Sequence, residues 1–245
     1  TFIMRFNHLH KPFDNPKIRQ AAMVAMGQQA VLNTQIGIPE LQKVCRSIFP
    51  CGTLYADENT GYFTGIANPA KAREMLKEAG YDNTPVLLMR PTDLASIAKI
   101  PLVAKQQLEA AGFKVDFQQM DWASLVARRA KKDAPAAGGW NAFLTAWTAG
   151  DITNPLAMAM LNAKGDTGWF GWQNEPRIET LKASFARAAT IEEKKKIASQ
   201  IQAVAIETAT HAPLGQYRSP TVVRSNVSGL IQTPGIPVMW GLKKN

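Results

Sequence analysis

The residues best suited to binding a ligand are concentrated between positions 140 and 172, a stretch that holds four of the chain's six tryptophans. Within it, residues 147–151 read Trp-Thr-Ala-Gly-Asp, and residues 168–172 read Gly-Trp-Phe-Gly-Trp. Indole rings offer a large stacking surface at low side-chain entropy cost, glycines let a ligand approach backbone amides, and a carboxylate can hold a cation. The pattern predicts one wall of a binding site. The alternative is that these indoles belong to the core, because tryptophan is highly buried on average.

Catalytic chemistry has weak support in the sequence. The sequence contains none of four common enzyme motifs: Gly-x-Ser-x-Gly, a phosphate-binding loop ending in Gly-Lys-Ser/Thr, His-Glu-x-x-His, and Gly-x-Gly-x-x-Gly after a strand. His8 and His10 could face one metal ion from a strand end, but two ligands make a poor site. His211 stands alone, where a hydrogen-bonded structural role is the default, and a hydrolase using Asp151 with His211 is the remaining enzymatic alternative. We therefore expect no enzyme, no cofactor and no metal site.

The two cysteines, Cys45 and Cys51, lie in a segment that also contains Pro50 and Gly52. In an oxidising compartment this spacing can close a small disulfide ring, whereas a zinc site needs four ligands in pairs. The pattern favours the disulfide. Two free thiols in a cytosolic chain stay open as the alternative.

The formal net charge of +9 would suit nucleic acid if the basic residues gathered on one face. Instead they fall on separate predicted helices among glutamates, which predicts solvated helix surfaces and argues against nucleic acid as a partner. No run approaches the roughly 18 apolar residues of a membrane span, and the first twenty residues contain no signal peptide. Because the chain lacks an initiator methionine and starts directly in a strand-like run, we expect it to be part of a longer protein.

Apolar periodicity predicts the elements that position these residues. Residues 1–7 alternate with both faces largely apolar, as in an interior strand, and Asn15 with Pro16 begins a helix. The irregular stretch 37–67 predicts a long ordered loop with one short helical piece. Further strands are predicted at 84–89, 113–117 and 140–147, and further helices begin at Asn68, Asp121, Asn174 and Thr190, the last with a capping box to Glu193.

Strands and helices that alternate in this way imply an α/β fold with crossover connections on a mixed sheet. After Thr210 the composition changes to strands and turns. This change predicts one lobe over residues 1–210 and a C-terminal return segment over residues 211–245, which packs on the lobe or leaves it.

Three segments resemble a known family. Residues 13–21 read Phe-Asp-Asn-Pro-Lys-Ile-Arg-Gln-Ala, and residues 68–81 begin Asn-Pro-Ala-Lys-Ala and end Leu-Lys-Glu-Ala-Gly-Tyr. With residues 107–115, they resemble the C-terminal half of the family 5 extracellular solute-binding proteins of bacterial ABC importers, and the resemblance covers essentially the whole chain. It implies a two-lobed, type II-like periplasmic binding protein of which this chain is the second lobe, with the N-terminal lobe and a signal peptide upstream. A periplasmic location also makes the Cys45–Cys51 disulfide plausible.

The resemblance implies transport without catalysis: two lobes close over a peptide or peptide-like solute and deliver it to the transmembrane subunits of an ABC permease. Arg90 is similar to the arginine that meets the ligand carboxylate in dipeptide carriers, although it could be a surface arginine. Residues 147–151 match the turn whose acidic residue holds the peptide amino terminus. Here that position falls on Gly150, and Asp151 follows one place later. The predicted ligand-binding residues are Arg90, Trp147, Thr148, Gly150, Asp151, Asn154, Trp169 and Trp172.

A second function from another class is a cytoplasmic ligand-sensing domain of a transcription regulator, built on the same lobe. An upstream DNA-binding domain would identify it, whereas an upstream secretory signal would identify the transport protein.

Overall fold

A five-stranded mixed sheet runs through the part of the chain that a computed structural model describes, residues 1–231, 233 and 237–245. The strands in these residues are β1 (Phe2–Phe6), β2 (Gln42–Lys43), β3 (Val86–Pro91), β4 (Val115–Met120), β5 (Ala142–Ala146), β6 (His211–Pro213), β7 (Gln216–Tyr217), β8 (Val227–Ser228) and β9 (Lys243–Lys244). The main sheet has the order β4-β3-β5-β1-β6, while β2 pairs with β7 and β8 with β9.

Eight α-helices and four short 3-10 helices connect the described strands. The α-helices are α1 (Pro16–Ala25), α2 (Gln28–Gln35), α3 (Pro69–Glu78), α4 (Ile100–Ala110), α5 (Trp122–Arg129), α6 (Ala149–Ile152), α7 (Pro176–Arg187) and α8 (Ile191–Glu207). The 3-10 helices are Pro39–Leu41, Pro135–Ala137, Ala159–Leu161 and Gly165–Thr167. The predicted α/β class with a mixed sheet is therefore confirmed. Of the helices in the described ranges, not one combines the length and apolar character that crossing a membrane requires.

Strand directions bring several chain segments to one edge of the main sheet. Strand β3 is parallel to β4 and β5, whereas β1 is antiparallel to β5 and β6. The carboxyl ends of β3, β4, β5 and β6 and the amino end of β1 therefore lie at the same edge, which we call the carboxyl edge. Trp147 donates its backbone N–H to the Thr1 carbonyl at 2.9 Å, and Phe2 donates to the Gly215 carbonyl at 2.9 Å. The first strand and the segment after β6 thus run side by side there.

Both faces of the sheet are buried at strands β1, β3 and β5, as the apolar pattern of β1 predicts for that strand, whereas no residue of β4 is fully buried. Phe2, Met4 and Phe6 belong to the large core cluster that also includes side chains of α1 to α4, α7 and α8. In β3, Val86 and Leu88 also belong to this cluster. Because side chains alternate along a strand, Leu87 and Met89 of β3 point to the opposite face of the sheet. That second face carries a smaller cluster made of Leu87, Met89, Leu125, Trp140, Phe143 and Trp172.

Local capping signals account for where the helices begin. The Asn15 side chain accepts from the Lys17 amide, and Thr190 with Glu193 forms the predicted capping box. Helix α7 begins one residue later than predicted: its N-cap is Glu175 rather than Asn174, because Pro176 takes the first helical position.

Arg5 fixes the aromatic segment to the centre of the sheet. Its side chain is 0% exposed, and its Nε donates to the Phe170 carbonyl at 2.6 Å. A terminal nitrogen donates to the carbonyls of Met160 and Thr210 and to the Gln173 side chain. Burial, and secondarily the nearby Arg19 charge, lowers the pKa of this guanidinium. These bonds tie the loop that contains Phe170 to β1 and to the residue before β6.

Cys45 and Cys51 form a disulfide with an S–S distance of 2.00 Å, so the alternative of two free thiols is wrong. The Gln28 side chain donates to the Cys45 carbonyl and accepts from the Cys45 amide, both at 2.7 Å. The ring is thereby attached to α2.

The segment after residue 210 begins inside the main sheet, because β6 pairs with β1. It then pairs with β2 through β7 and ends in the β8–β9 pair. Residues 232 and 234–236 of this segment lie outside the described residues. The predicted boundary between residues 1–210 and 211–245 stays a prediction.

Candidate functional site

An open cavity of about 300 Å³ lies at the carboxyl edge, beside Thr1 and the segment after β6. Its lining residues are Thr1, Ala146, Trp147, Thr148, Ala149, Gln216, Tyr217 and Ser219. In open α/β sheets, ligands bind outside the carboxyl ends of the strands. Two of the predicted ligand-binding residues, Trp147 and Thr148, therefore lie where the fold favours a ligand.

Half-buried rings continue the surface away from this cavity. The Trp147 and Trp169 rings meet edge to face with centroids 5.6 Å apart, and Trp169 lies 5.6 Å from Phe170. Trp122, the first residue of α5, is also half-buried and follows the carboxyl end of β4. We call Trp122, Trp147, Trp169 and Phe170 the aromatic wall. Its rings keep an accessible surface on which a ligand can stack.

Trp140 and Trp172 have a different place from the one their spacing suggested. They are 0% and 4% exposed, and their rings pack 5.9 Å apart in the smaller core cluster. This conformation leaves little of Trp172 accessible to a ligand, and its place in a cleft stays a prediction. For these two indoles, the core alternative describes the observed packing.

Two glycines of the tryptophan-rich stretch differ in what they permit. A Cβ on Gly171 would lie 2.4 Å from the Phe6 carbonyl oxygen, and its φ of +105° is one that other residues rarely adopt. Gly171 is thus required by packing against β1. A Cβ on Gly150 would meet no atom within 4 Å, so open space surrounds this residue and leaves room for a ligand.

Asp151 is exposed in the first turn of α6, and its carboxylate is bonded by Thr148, the N-cap residue of that helix. The Thr148 hydroxyl donates to Asp151 Oδ2 at 2.6 Å. This bond orients the carboxylate and leaves its second oxygen free to accept from a ligand. Asn154 is also exposed, and its Oδ1 accepts from the Leu156 amide at 2.9 Å, so its side-chain NH2 group is available.

Arg90 lies near the end of β3, beside Gln119 of β4. Its Nε donates to the Ala98 carbonyl at 2.9 Å, and a terminal nitrogen donates to the Gln119 side chain. The guanidinium is therefore oriented by the protein while it keeps further N–H groups for a carboxylate.

His8 and His211 both contact Thr210, whereas His10 bonds elsewhere. His8 Nε2 lies 3.4 Å from the Thr210 carbonyl oxygen, whereas His10 Nε2 lies 2.7 Å from that of Lys132. His211 is 1% exposed and bonds through Nδ1 to the Thr210 hydroxyl at 2.9 Å. Burial, then the Arg5 charge, lowers its pKa to about 3. No hydrogen bond joins His211 to Asp151 in the described part of the chain.

Cys45, Cys51 and Glu58 place candidate metal-ligand atoms within 4.8 Å of one another. Both sulfurs are engaged in the disulfide, so neither is a thiolate that could bind a metal ion.

The sequence patterns did not single out Trp122 or Arg129 as ligand-binding residues. In the structure, the Arg129 guanidinium carbon lies 5.5 Å from the Trp122 ring and 4.9 Å from the Phe170 ring. An aromatic residue that opens a helix directly after a strand is a signal that could have located Trp122 at the carboxyl edge. The contact between Arg129 and Phe170 joins residues 41 positions apart in the sequence, so no local pattern indicates it.

A larger cavity of about 610 Å³ lies at the opposite edge, near the amino ends of β3 and β4. Its lining includes His10, Leu87, Asp116, Arg128 and Pro135. None of the predicted ligand-binding residues contributes to it.

Comparisons with known proteins agree with this arrangement. The family model described as bacterial extracellular solute-binding proteins, family 5 Middle, matches residues 1–169. The chain is similar to the probable peptide ABC transporter periplasmic-binding protein y4tO of Sinorhizobium fredii, with 32% identity over 98% of this chain and 45% of that protein. It is also similar to the glutathione-binding protein GsiB of Escherichia coli strain K12, with 31% identity over 58% of this chain and 27% of GsiB. The chain thus spans less than half the length of these relatives.

Solved structures share the fold at low sequence identity. The substrate-binding protein CtaP of Listeria monocytogenes aligns with a TM-score of 0.77 and 20% identity over 88% of this chain and 43% of that one. A dipeptide-binding protein of Pseudoalteromonas sp. SM9913, in complex with Met-Leu, aligns with a TM-score of 0.76 and 18% identity over 100% of this chain and 48% of that one.

Proposed function

Because the chain belongs to the bacterial extracellular solute-binding proteins of family 5, we propose that it is the second lobe of a two-lobed periplasmic receptor. The receptor binds a peptide or peptide-like solute and delivers it to the transmembrane subunits of an ABC permease. The observation that carries this proposal is the open cavity at the carboxyl edge, lined by Trp147 and Thr148 and adjacent to Thr1 and Gln216. The N-terminal lobe, connected through these two adjacent segments, would cover that cavity.

The names of two relatives support the class of solute and the compartment. The relative y4tO is named as a periplasmic peptide-binding protein, and GsiB is named as glutathione-binding. The disulfide between Cys45 and Cys51 also suits an oxidising compartment such as the periplasm.

Lobe closure is the proposed mechanism. A ligand that contacts both lobes favours the closed state, because it can shift a hinge equilibrium only by binding one state more tightly than the other. This lobe supplies half of the contacts. The chain alone should therefore bind the solute weakly.

Three kinds of contact are proposed on this lobe. The free oxygen of Asp151, oriented by Thr148, accepts from the amino terminus of the solute. The remaining N–H groups of Arg90 donate to its carboxylate. Trp147 and Trp169 provide the surface on which the solute stacks.

The test uses the complete polypeptide that contains residues 1–245. Native mass spectrometry after gentle purification is expected to find a retained peptide-like solute, and calorimetry is expected to detect dipeptide binding. Asp151→Asn should weaken binding of a dipeptide with a free amino group by about tenfold, because one charge-assisted hydrogen bond is lost. It should change the binding of the N-acetylated dipeptide little. Absence of both a retained solute and dipeptide binding would refute the proposal.

A further inference from the structure

Arg129 is half-buried, and its guanidinium packs against three aromatic rings. Its guanidinium carbon lies 4.9 Å from the Phe170 ring, 5.5 Å from the Trp122 ring and 5.7 Å from the Phe143 ring. Among the described residues, it has no hydrogen-bond acceptor and no ion pair, and its Nε is buried without a partner. Burial lowers the pKa of this side chain. The rings provide cation–π attraction but no hydrogen-bond acceptor for its N–H groups.

Arg5, Arg19 and Arg128 each donate to acceptors through at least two nitrogens, although one terminal nitrogen of Arg5 is also buried without a partner. Arg5 and Arg19 donate to backbone carbonyls through several nitrogens. The neighbouring Arg128 donates through Nε to the Gly139 carbonyl at 2.9 Å and through a terminal nitrogen to the Gln118 side chain. Leaving a buried donor without an acceptor costs free energy, and Arg129 differs from these three arginines because none of its side-chain nitrogens donates to an acceptor in the described residues.

The carboxylates at the amino end of α5 do not pair with Arg129. Asp121 accepts from the Ser124 amide at 2.9 Å and from its hydroxyl at 2.6 Å, and Asp93 accepts from the Trp122 amide at 2.7 Å. These bonds commit both acids to the amino end of α5. Arg129 therefore keeps N–H groups that an acceptor on a ligand can meet.

The location of Arg129 points toward the carboxyl edge. Helix α5 begins there at Trp122, and long side chains in helices lean toward the amino end of their helix. The contact with the Trp122 ring shows that Arg129 extends in that direction along the helix. Its guanidinium thereby lies between two members of the aromatic wall, Trp122 and Phe170.

We propose that Arg129 binds a carboxylate of the solute's side chain, so that the receptor prefers acidic peptides, which carry a carboxylate in addition to the terminal one. This inference rests on the proposed function and specifies its substrate class. A planar guanidinium donates to a carboxylate through two parallel N–H groups, and partial burial among rings strengthens that contact. Arg90, on β3, remains available for the terminal carboxylate.

The experiment compares matched acidic and amide dipeptides on the complete polypeptide. Ala-Glu against Ala-Gln, and Glu-Ala against Gln-Ala, differ only in the charge and hydrogen bonding of one side chain. Calorimetry is expected to give about tenfold tighter binding of the acidic member in at least one pair. Arg129→Gln should bring that ratio close to one and leave the affinity for the amide member nearly unchanged. Arg129→Lys, which keeps the charge without the fork, should retain part of the preference.

Lys131→Gln is the matched control. Lys131 is exposed two residues after Arg129, and its removal lowers the net charge equally without touching the aromatic wall. The control should keep the wild-type ratio. Equal affinities within both pairs for the wild-type protein, or an unchanged preference in Arg129→Gln, would overturn this inference and leave the proposed function standing. Failure of the wild-type protein to bind any of these dipeptides or retain any solute would overturn both.

Discussion

Acidification should destabilise the fold through His211. This imidazole is 1% exposed, and burial lowers its pKa to about 3. The folded chain therefore keeps His211 neutral between pH 7 and pH 5, while the unfolded chain binds a proton with an ordinary pKa of about 6.5. Its contribution to stability is fully present above the unfolded pKa and is lost as the pH falls toward the folded pKa.

The size of the loss follows from proton linkage. One proton taken up only by the unfolded state changes the free energy of unfolding by about 1.4 kcal/mol per pH unit. Integrated from pH 7 to pH 5 across a pKa of about 6.5, this amounts to roughly 2 kcal/mol for His211 alone. The pKa of His8 is also lowered, by burial and by the charges of Arg19 and Arg5, so the wild-type loss should be larger still.

Urea unfolding followed by tryptophan fluorescence at pH 7 and pH 5 measures this loss. The His211→Asn variant removes the titrating group while offering an amide to the Thr210 hydroxyl. Its stability should fall by about 2 kcal/mol less than that of the wild type over the same interval. An identical pH dependence of the two proteins would refute the reasoning, because His211 would then not be held neutral by the fold.

Two further predictions concern stability. Gly171→Ala should lower the free energy of unfolding by about 2 kcal/mol or more, because the new Cβ would lie 2.4 Å from the Phe6 carbonyl oxygen at a positive φ. Gly150→Ala should change the free energy of unfolding by less than about 0.5 kcal/mol, because its Cβ would meet no atom within 4 Å. Similar urea midpoints for the two variants would contradict this. Replacing both cysteines by serine should lower the free energy of unfolding by about 2 kcal/mol, the loop-entropy value for a cross-link whose residues are 6 positions apart. Thermal melting of the double variant and the wild type measures this loss. An unchanged melting temperature would count against a stabilising disulfide.

Much of the fold could be predicted because its signals are local. The apolar alternation of residues 1–7 predicts an interior strand, and β1 is buried along its whole length. The Thr190 capping box and the Asn15–Pro16 start mark helix boundaries through contacts a few residues apart. The pairing of β2 with β7 could not be predicted in this way. It joins Gln42 to Tyr217. Gln42 lies in the stretch 37–67, whose composition indicated only a loop with a short helical piece.

The candidate site was harder to predict, because a residue's type does not determine its burial. Trp140 and Trp169 belong to the same tryptophan-rich stretch, yet Trp140 packs in the smaller core cluster while Trp169 stays half-buried beside Trp147. Trp169 lies in the loop that Arg5 fixes to the sheet, through a contact that joins residues 165 positions apart. The environment of Arg129 could not be predicted from local sequence either, because it exists only after α5 and that loop pack together.

Hydrogen exchange of the complete polypeptide, with and without its bound solute, tests most directly whether the carboxyl edge is the binding surface. Bound solute should slow amide exchange at residues 147–154 and 216–219 and at the start of α5. Amide exchange at the residues that line the cavity of about 610 Å³ at the opposite edge should not change. Protection confined to that opposite cavity, or unchanged exchange at the carboxyl edge in the solute-bound protein, would contradict the account.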